Sequence, residues 1–166
     1  MEFTLRPWKK EDLEFVAKNA GDKEITGNMS DAFPDSVEKW AKFLEYVVGN
    51  NDILYLAIDI NGEAVGGIGV KPMDDIYRKN AEMGYWLAKK YWGKGIITQA
   101  IKLMVKKAFE TFNIDRISAT PFETNIASHK VLEKAGFILE ARFAKKVVKN
   151  GNELDELVYV IKKDNL

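Results

Sequence analysis

Apolar side chains recur at Ile97, Ala100, Ile101, Met104, Val105, Ala108, Phe109 and Phe112, the spacing of an amphipathic helix four turns long. The chain reaches this helix from a β-rich run, Ala81 to Ala88, through Tyr91-Trp92-Gly93-Lys94-Gly95. Strand, glycine-containing turn and long helix together aim several backbone N–H groups and a helix N-terminus at one place, which makes a natural phosphate site. Taken alone, Gly-Lys-Gly fits a tight turn without a ligand equally well. Two other phosphate signatures fail on spacing. A Walker loop requires Gly-x-x-x-x-Gly-Lys-Ser/Thr, and the dinucleotide fingerprint requires a third small residue where Thr98 stands. Gly67-Ile68-Gly69 lies inside a strand and fails too.

The remaining chain fills in around that unit. Phe3, Leu5 and Trp8 predict a short first strand, and Lys10 to Ala20 a helix stopped by Gly21. Ser36 caps a second helix whose stripe is Val37, Trp40, Ala41, Leu44 and Val47-Val48. Lys23 to Asp35, polar and holding Gly27 and Pro34, reads as a loop. Ile53 to Ile60 and Ala64 to Val70 form a hairpin across Asn61-Gly62, a pair that tolerates positive φ. Arg116 to Thr120 is a short strand and Asn125 to Ala135 a helix, with Gly136 in the left-handed position after it. Phe137 to Val148 and Leu154 to Lys162 are strands joined near Asn150-Gly151. This order predicts an α/β (α+β) sandwich on a mixed sheet of about seven strands flanked by four helices. No linker or repeat divides the chain, so residues 1–166 read as one domain.

Composition removes several kinds of chemistry. There is no cysteine, which excludes disulfides, thiolate metal sites and a cysteine nucleophile. A single histidine, His129, excludes a multi-imidazole metal centre. Twenty-five basic residues balance 25 acidic ones, against the clustered positive field that nucleic-acid binding relies on. The first residues carry no signal-peptide core, and nowhere do 18 apolar residues run together, so a cytoplasmic protein without a membrane partner is expected.

Met83-Gly84-Tyr85-Trp86-Leu87, then Tyr91 through Ala100 (Tyr-Trp-Gly-Lys-Gly-Ile-Ile-Thr-Gln-Ala), and Asn125-Ile126-Ala127-Ser128 running on to Ala135-Gly136-Phe137, closely resemble the GNAT superfamily of acetyl-CoA-dependent N-acetyltransferases. Within it the likeness is to the RimJ/RimL branch, and it extends over nearly the whole chain from Leu5-Arg6-Pro7. One departure is that Lys90 stands where the family's pyrophosphate loop usually begins with Gln or Arg. That loop holds phosphate mainly through backbone N–H groups, which any residue supplies.

The resemblance implies the GNAT acyl-CoA N-acyltransferase fold, acetyl-CoA as acetyl donor, and no metal. It puts the pyrophosphate on Trp92, Gly93, Lys94, Gly95 and Ile96, with Ile97 next in the helix. It lays the pantetheine arm between two splayed strands, Ala81 to Ala88 and Arg116 to Thr120, with main-chain contacts at Trp86, Leu87 and Ala88. Asn125 would contact the pantetheine, and Ser128 would donate a hydrogen bond to the departing thiolate. Read from spacing alone, Asn125 is a helix cap and Ser128 a first-turn polar residue; both roles are compatible.

Direct transfer needs a neutral amine, an oxyanion site and a route for the amine proton. Glu82 is the candidate base, acting through water, because it shares a face with Gly84 and Trp86 on the strand flanking the donor. The alternative for Glu82 is a solvated strand residue or a lysine's partner. The Leu87 amide is the candidate oxyanion donor. Ser128 and His129 make no serine–histidine pair, because neighbouring helical residues point about 100° apart; His129 reads as a surface or capping side chain. Trp8, Trp40, Trp86 and Trp92 read as core, with Trp86 and Tyr91 candidates for lining the acceptor pocket. Lys145-Lys146 and Lys149 read as a solvated hairpin edge, and Lys106-Lys107 as a solvated helix face.

The expected activity is acetyl transfer to a primary amine by direct attack, without a covalent acetyl-enzyme. The RimJ/RimL likeness implies a protein N-terminal α-amine, as in ribosomal-protein-alanine N-acetyltransferases. Other readings are a small amine (polyamine, aminoglycoside or amino acid) or a non-catalytic acyl-CoA-binding module. Acceptor choice is assigned to the Lys23 to Asp35 loop and the last hairpin, in a monomer or homodimer.

Overall fold

In a computed structural model describing residues 1–166, the strong local signals become the frame of the molecule. Asn61 and Gly62 adopt φ of 56° and 86°, and Asn150 and Gly151 φ of 50° and 78°. Positive φ at both central residues is what a two-residue hairpin turn demands, so each pair closes its strands tightly. The first turn joins β2 (Leu54–Ile60) to β3 (Glu63–Pro72); the second joins β6 (Ile138–Lys149) to β7 (Asn152–Lys162).

With β1 (Thr4–Pro7), β4 (Asn80–Leu87) and β5 (Arg116–Ala119), these strands form one sheet in the order β1-β2-β3-β4-β5-β7-β6. Every pairing is antiparallel except β4 with β5. The mixed α/β sheet of seven strands is therefore as expected.

The helix count differs. α1 (Leu13–Asn19), α3 (Val37–Val47), α4 (Ile96–Thr111) and α5 (Ile126–Lys134) match the four expected helices. A fifth, α2 (Lys23–Thr26), is a single turn inside the predicted loop, started by Asp22, whose side chain accepts from the Glu24 amide at 2.8 Å. One turn is too short to leave a periodic pattern, so only the cap could have signalled it. Ser36 caps α3 through the Lys39 amide at 3.2 Å, as its sequence position suggests.

Helices cover both faces. α4 and α5 pack on one, around Ile58, Ile68, Met83, Ile101, Met104 and Leu132. α1 and α3 cover the other, where Val16, Trp40 and Leu44 meet Trp8 and Trp86. Glycines in β3 let aromatic rings lie on this second face. A Cβ on Gly69 would overlap the Tyr55 ring, and one on Gly67 would come within 2.9 Å of Trp8. Arg6 ties β1 to both neighbours, pairing with Asp12 ahead of α1 and with Asp59 on β2, each at 2.7 Å. No helix is long and apolar enough to cross a membrane.

Two features of the sheet create space for a ligand. β4 and β5 pair only at Asn80↔Arg116, Ala81↔Ile117 and Glu82↔Ser118, then separate. On the other side of that gap, β6 and β7 extend as a long hairpin. Its tip turns back to the segment after α2, where Lys149 pairs with Asp31 at 2.8 Å. Lys149 is not the solvated edge residue expected, since its side chain is only 12% exposed. Lys145 and Lys146, like Lys106 and Lys107, are exposed.

Candidate active site

Three elements converge where β4 and β5 part. The Met73 amide donates to the Asn80 carbonyl and the Ala88 amide to that of Val65, both at 2.8 Å. These bonds fix the phase of the β3–β4 ladder: even-numbered residues of β4 turn their backbone groups to β3, odd-numbered ones turn theirs away. Ala81 spends its groups on β5. Beyond the last β4–β5 pair, Tyr85 and Leu87 present theirs to a gap that no strand fills. Leu87 is thus well placed to offer its amide, while its carbonyl accepts from the Trp92 indole at 2.7 Å.

The same phase corrects two expected contacts. The Trp86 backbone faces β3, and Ala88 has its amide on Val65 and its carbonyl on the Tyr91 amide at 3.0 Å. Neither offers a free amide as Leu87 does. Their contribution is side-chain packing, Trp86 within the aromatic face and Ala88 in the core.

Beyond Leu87 the chain passes into the glycine turn. Gly93 and Gly95 have φ of 71° and 76°, and a Cβ at either would meet no atom within 4 Å. Their backbones are therefore approachable, and positive φ there explains why glycine is used. Gly95 is the N-cap of α4 and supplies no side-chain acceptor, so the first amides of the helix, at Ile96, Ile97 and Thr98, have no capping partner. Nothing acidic occupies the first turn. Lys90 and Lys94 flank the loop, their ammonium groups 4.9 Å and 5.5 Å from the centre of the Tyr91 ring. That leaves Tyr91 under two cations, and it lines neither of the two cavities of the site. Trp92, expected in the core, is 41% exposed because its indole is held on the strand end.

The third element is α5. The Asn125 side chain accepts from the Ser128 amide at 3.3 Å, the capping role its position predicts. Ser128 is buried, and its hydroxyl is hydrogen-bonded to that of Tyr85 across the gap. Burial pushes the Tyr85 phenol up to about 12, with the Ser128 contact offsetting part of the rise. The phenol is neutral at any working pH and remains a hydrogen-bond donor. His129 turns elsewhere: its Nε2 lies 3.0 Å from the Phe122 carbonyl and its ring stacks on Tyr159. Tyr85 escaped the sequence reading, although strict alternation from Ala81 and Met83 puts it on the α5 face.

Two cavities meet at this point. One, of about 530 Å³, lies in the strand gap between Met83–Tyr85 and Ala119–Phe122, reaching Asn125, Ser128 and the hairpin tip. The other, of about 540 Å³, lies on the α3 face among aromatic rings. They share Met29, Ser30, Gly84 and Tyr85. A Cβ at Gly84 would meet nothing within 4 Å, so no side chain separates them there. Glu82 lines neither cavity. It is exposed, makes no ion pair, and lies close enough for its charge to act on Tyr55, which lines the second. Burial raises the Tyr55 phenol first, with Tyr46 and the Glu82 charge adding to it. A second carboxylate, Glu156, does line the first cavity, but Lys146 holds it at 2.7 Å. No group of three or more histidines and carboxylates could hold a metal ion.

Residues 2–138 match the family model of the acetyltransferase (GNAT) domain. The putative ribosomal N-acetyltransferase YdaF of Bacillus subtilis (strain 168) is 35% identical over 103 residues. That match spans 62% of this chain and 56% of the relative, little more than half its length. The crystal structure of a ribosomal-protein-S5-alanine acetyltransferase from Vibrio fischeri superposes with a TM-score of 0.84 at 23% identity, covering 99% of this chain and 95% of that one. The microcin C7 self-immunity acetyltransferase MccE, solved with acetyl-CoA and AMP, gives 0.83 at 25% identity, over 97% and 92%.

Proposed function

The chain belongs to the GNAT acetyltransferase family, whose donor is acetyl-CoA, and from that premise we propose that it moves acetyl to a protein N-terminal α-amine by direct attack, acting in the cytoplasm as one domain over residues 1–166. The observation that carries this reading is the strand gap. Its free backbone groups, those of Tyr85 and the amide of Leu87, open between the glycine turn on one side and the Tyr85–Ser128 pair on the other. YdaF, described as a putative ribosomal N-acetyltransferase, supports the choice of acceptor.

Each part of the donor then has a partner. The pyrophosphate meets the amides from Gly93 to Ile97, with Trp92 and Lys94 at its edges, where the helix N-terminus favours negative charge. The pantetheine amides pair with Tyr85 as an added strand and reach Asn125 at the start of α5, which leaves the Leu87 amide for the thioester oxygen. Acetyl-CoA enters as a substrate, and no metal takes part.

The reaction is completed at the join of the two cavities. The amine nitrogen attacks the thioester carbonyl, forming the C–N bond. The oxyanion that develops is met by the Leu87 amide. Glu82 takes the amine proton through water. An α-amine, with a pKa near 8, is partly neutral already and needs only modest help. As the C–S bond breaks, the Ser128 hydroxyl, paired with Tyr85, donates to the leaving thiolate.

Mass spectrometry of N-terminal peptides and small amines incubated with acetyl-CoA tests the proposal. Acetylated peptide α-amines are the expected product. Donor binding with no amine labelled would reduce the protein to an acyl-CoA-binding module, and labelling confined to side-chain or polyamine nitrogens would move the acceptor class.

A further inference from the structure

The second cavity is built like a receptor for an apolar group. Phe33, Trp40, Phe43, Tyr55 and Trp86 line it together with Met29. The rings are fixed by edge-to-face packing: Phe33 on Trp40 at 5.5 Å and 89°, Trp40 on Phe43 at 5.3 Å and 89°, Phe43 on Tyr55 at 6.0 Å and 72°. Phe33, Phe43 and Tyr55 are only half buried, so faces of these rings remain open to a ligand. Gly67 and Gly69 form the floor. Such a wall offers area and π-faces and almost no hydrogen-bonding groups.

Charge narrows the occupant. No carboxylate lines this cavity, and its two charged residues, Lys39 and Lys42, are cationic. They are partly neutralised outside it, Lys39 by Asp35 at 2.7 Å and Lys42 by Glu38 at 3.6 Å. In the adjoining cleft both carboxylates are taken, Asp31 by Lys149 and Glu156 by Lys146. A polycation would have to leave water for a site without counter-charges, which is costly. One unpaired carboxylate, Glu82, acts on Tyr55 of the cavity wall from outside it, enough for the proton of a single amine.

We infer that this cavity selects the acceptor by its side chain: the substrate is an α-amine whose adjacent carbon carries a bulky apolar, preferably aromatic, group. The inference rests on the acceptor reading above and adds the identity of the side chain. Continuity at Gly84 and Tyr85 carries it, because an amine at the thioester puts its own substituent directly into the aromatic cavity. The chemistry is shared by a free apolar amino acid and by the first residue of a peptide.

The test uses peptides beginning with Phe, Leu, Ala or Glu, the free amino acids Phe and Ala, and spermidine. For the wild type, kcat/KM is expected to be at least about tenfold higher for Phe than for Ala, and lowest for Glu and spermidine. The peptide and free-amino-acid arms tell the two sources apart. Phe33→Ser and Tyr55→Ser should flatten the Phe/Ala ratio while donor affinity, measured by calorimetry, stays as in the wild type. A flat side-chain series, or a preference for spermidine, overturns the inference while leaving acetyl transfer standing.

If no amine is acetylated, the proposed function fails and binding still decides. Trp40 and Trp86 report on the cavity by fluorescence. At least about tenfold tighter binding of phenylalaninamide than alaninamide upholds the inference, and equal or absent binding overturns it.

Discussion

The hydroxyl of Tyr85, on β4, is bonded to the hydroxyl of Ser128, 43 residues further on in the first turn of α5. This one contact joins β4 to α5 across the cleft at the point where the thioester is proposed to lie. If Ser128 serves the departing thiolate and Tyr85 holds it in place, Ser128→Ala and Tyr85→Phe should each lower kcat about ten- to a hundredfold, the range for hydrogen bonds to a charged group. Donor affinity should change little. The double variant should lose scarcely more than the worse single one, since both changes remove one contact. Additive losses would mean independent roles. Because Tyr85 titrates only near 12, its phenol should leave no inflection in the rate profile below about pH 10.

Gly93→Asp puts a carboxylate where the pyrophosphate is proposed to sit and should weaken acetyl-CoA binding at least tenfold, about 1.4 kcal/mol. The left-handed conformation of Gly93 adds strain of about 1–2 kcal/mol for any side chain. Gly93→Ala is therefore the control. Calorimetry should give the alanine variant most of the wild-type affinity, with a lower melting temperature in both variants. Equal affinity for Asp and Ala would make the loop only a turn.

Glu82 and Glu156 separate cleanly by exchange to glutamine. Glu82→Gln should lower turnover at neutral pH and leave donor affinity intact, with the loss relieved as pH rises and the amine deprotonates on its own. Glu156→Gln should leave the pH profile unaltered, since that carboxylate is engaged by Lys146. The reverse pattern assigns the proton to Glu156.

Arg6 serves two carboxylates at once, and Asp12 is almost wholly buried beside it. Burial alone would raise the Asp12 carboxyl; the Arg6 guanidinium and the Lys9 amide outweigh it and hold the group below its ordinary range. Its contribution to stability is thus complete above about pH 4, where an unfolded aspartate ionises, and is lost as pH falls through the lower folded value. Arg6→Leu strands both charges and should cost about 3–5 kcal/mol at pH 7. Denaturant titrations should show that penalty shrinking toward pH 4, as protonation relieves the unpaired carboxylates.

What the chain discloses in one dimension follows the range of each interaction. The Asn-Gly turns, the Ser36 and Asn125 caps and the α4 stripe are decided within a few neighbours, and each appears where its residues predict. The strand gap was expected only through family resemblance, and the phase of its backbone groups needed the β3–β4 register, which turned Trp86 and Ala88 away and left Leu87 facing the opening. Tyr85 meets Ser128, and Lys149 meets Asp31, only after the sheet has brought distant segments together. The aromatic cavity is of the same kind: its rings come from five segments, and none announces the others.

A sheet ordinarily has two borders, and here β1 and β6 provide them. The parting of β4 from β5 adds a third, in the interior, at Tyr85 to Leu87. An outer border invites any passing polypeptide to pair with it. This inner one faces Ala119–Phe122 and the start of α5 across a cavity of about 530 Å³, inside the sheet and not at its border. The protein can therefore keep an unpaired strand edge permanently on offer without the aggregation that such an edge usually risks.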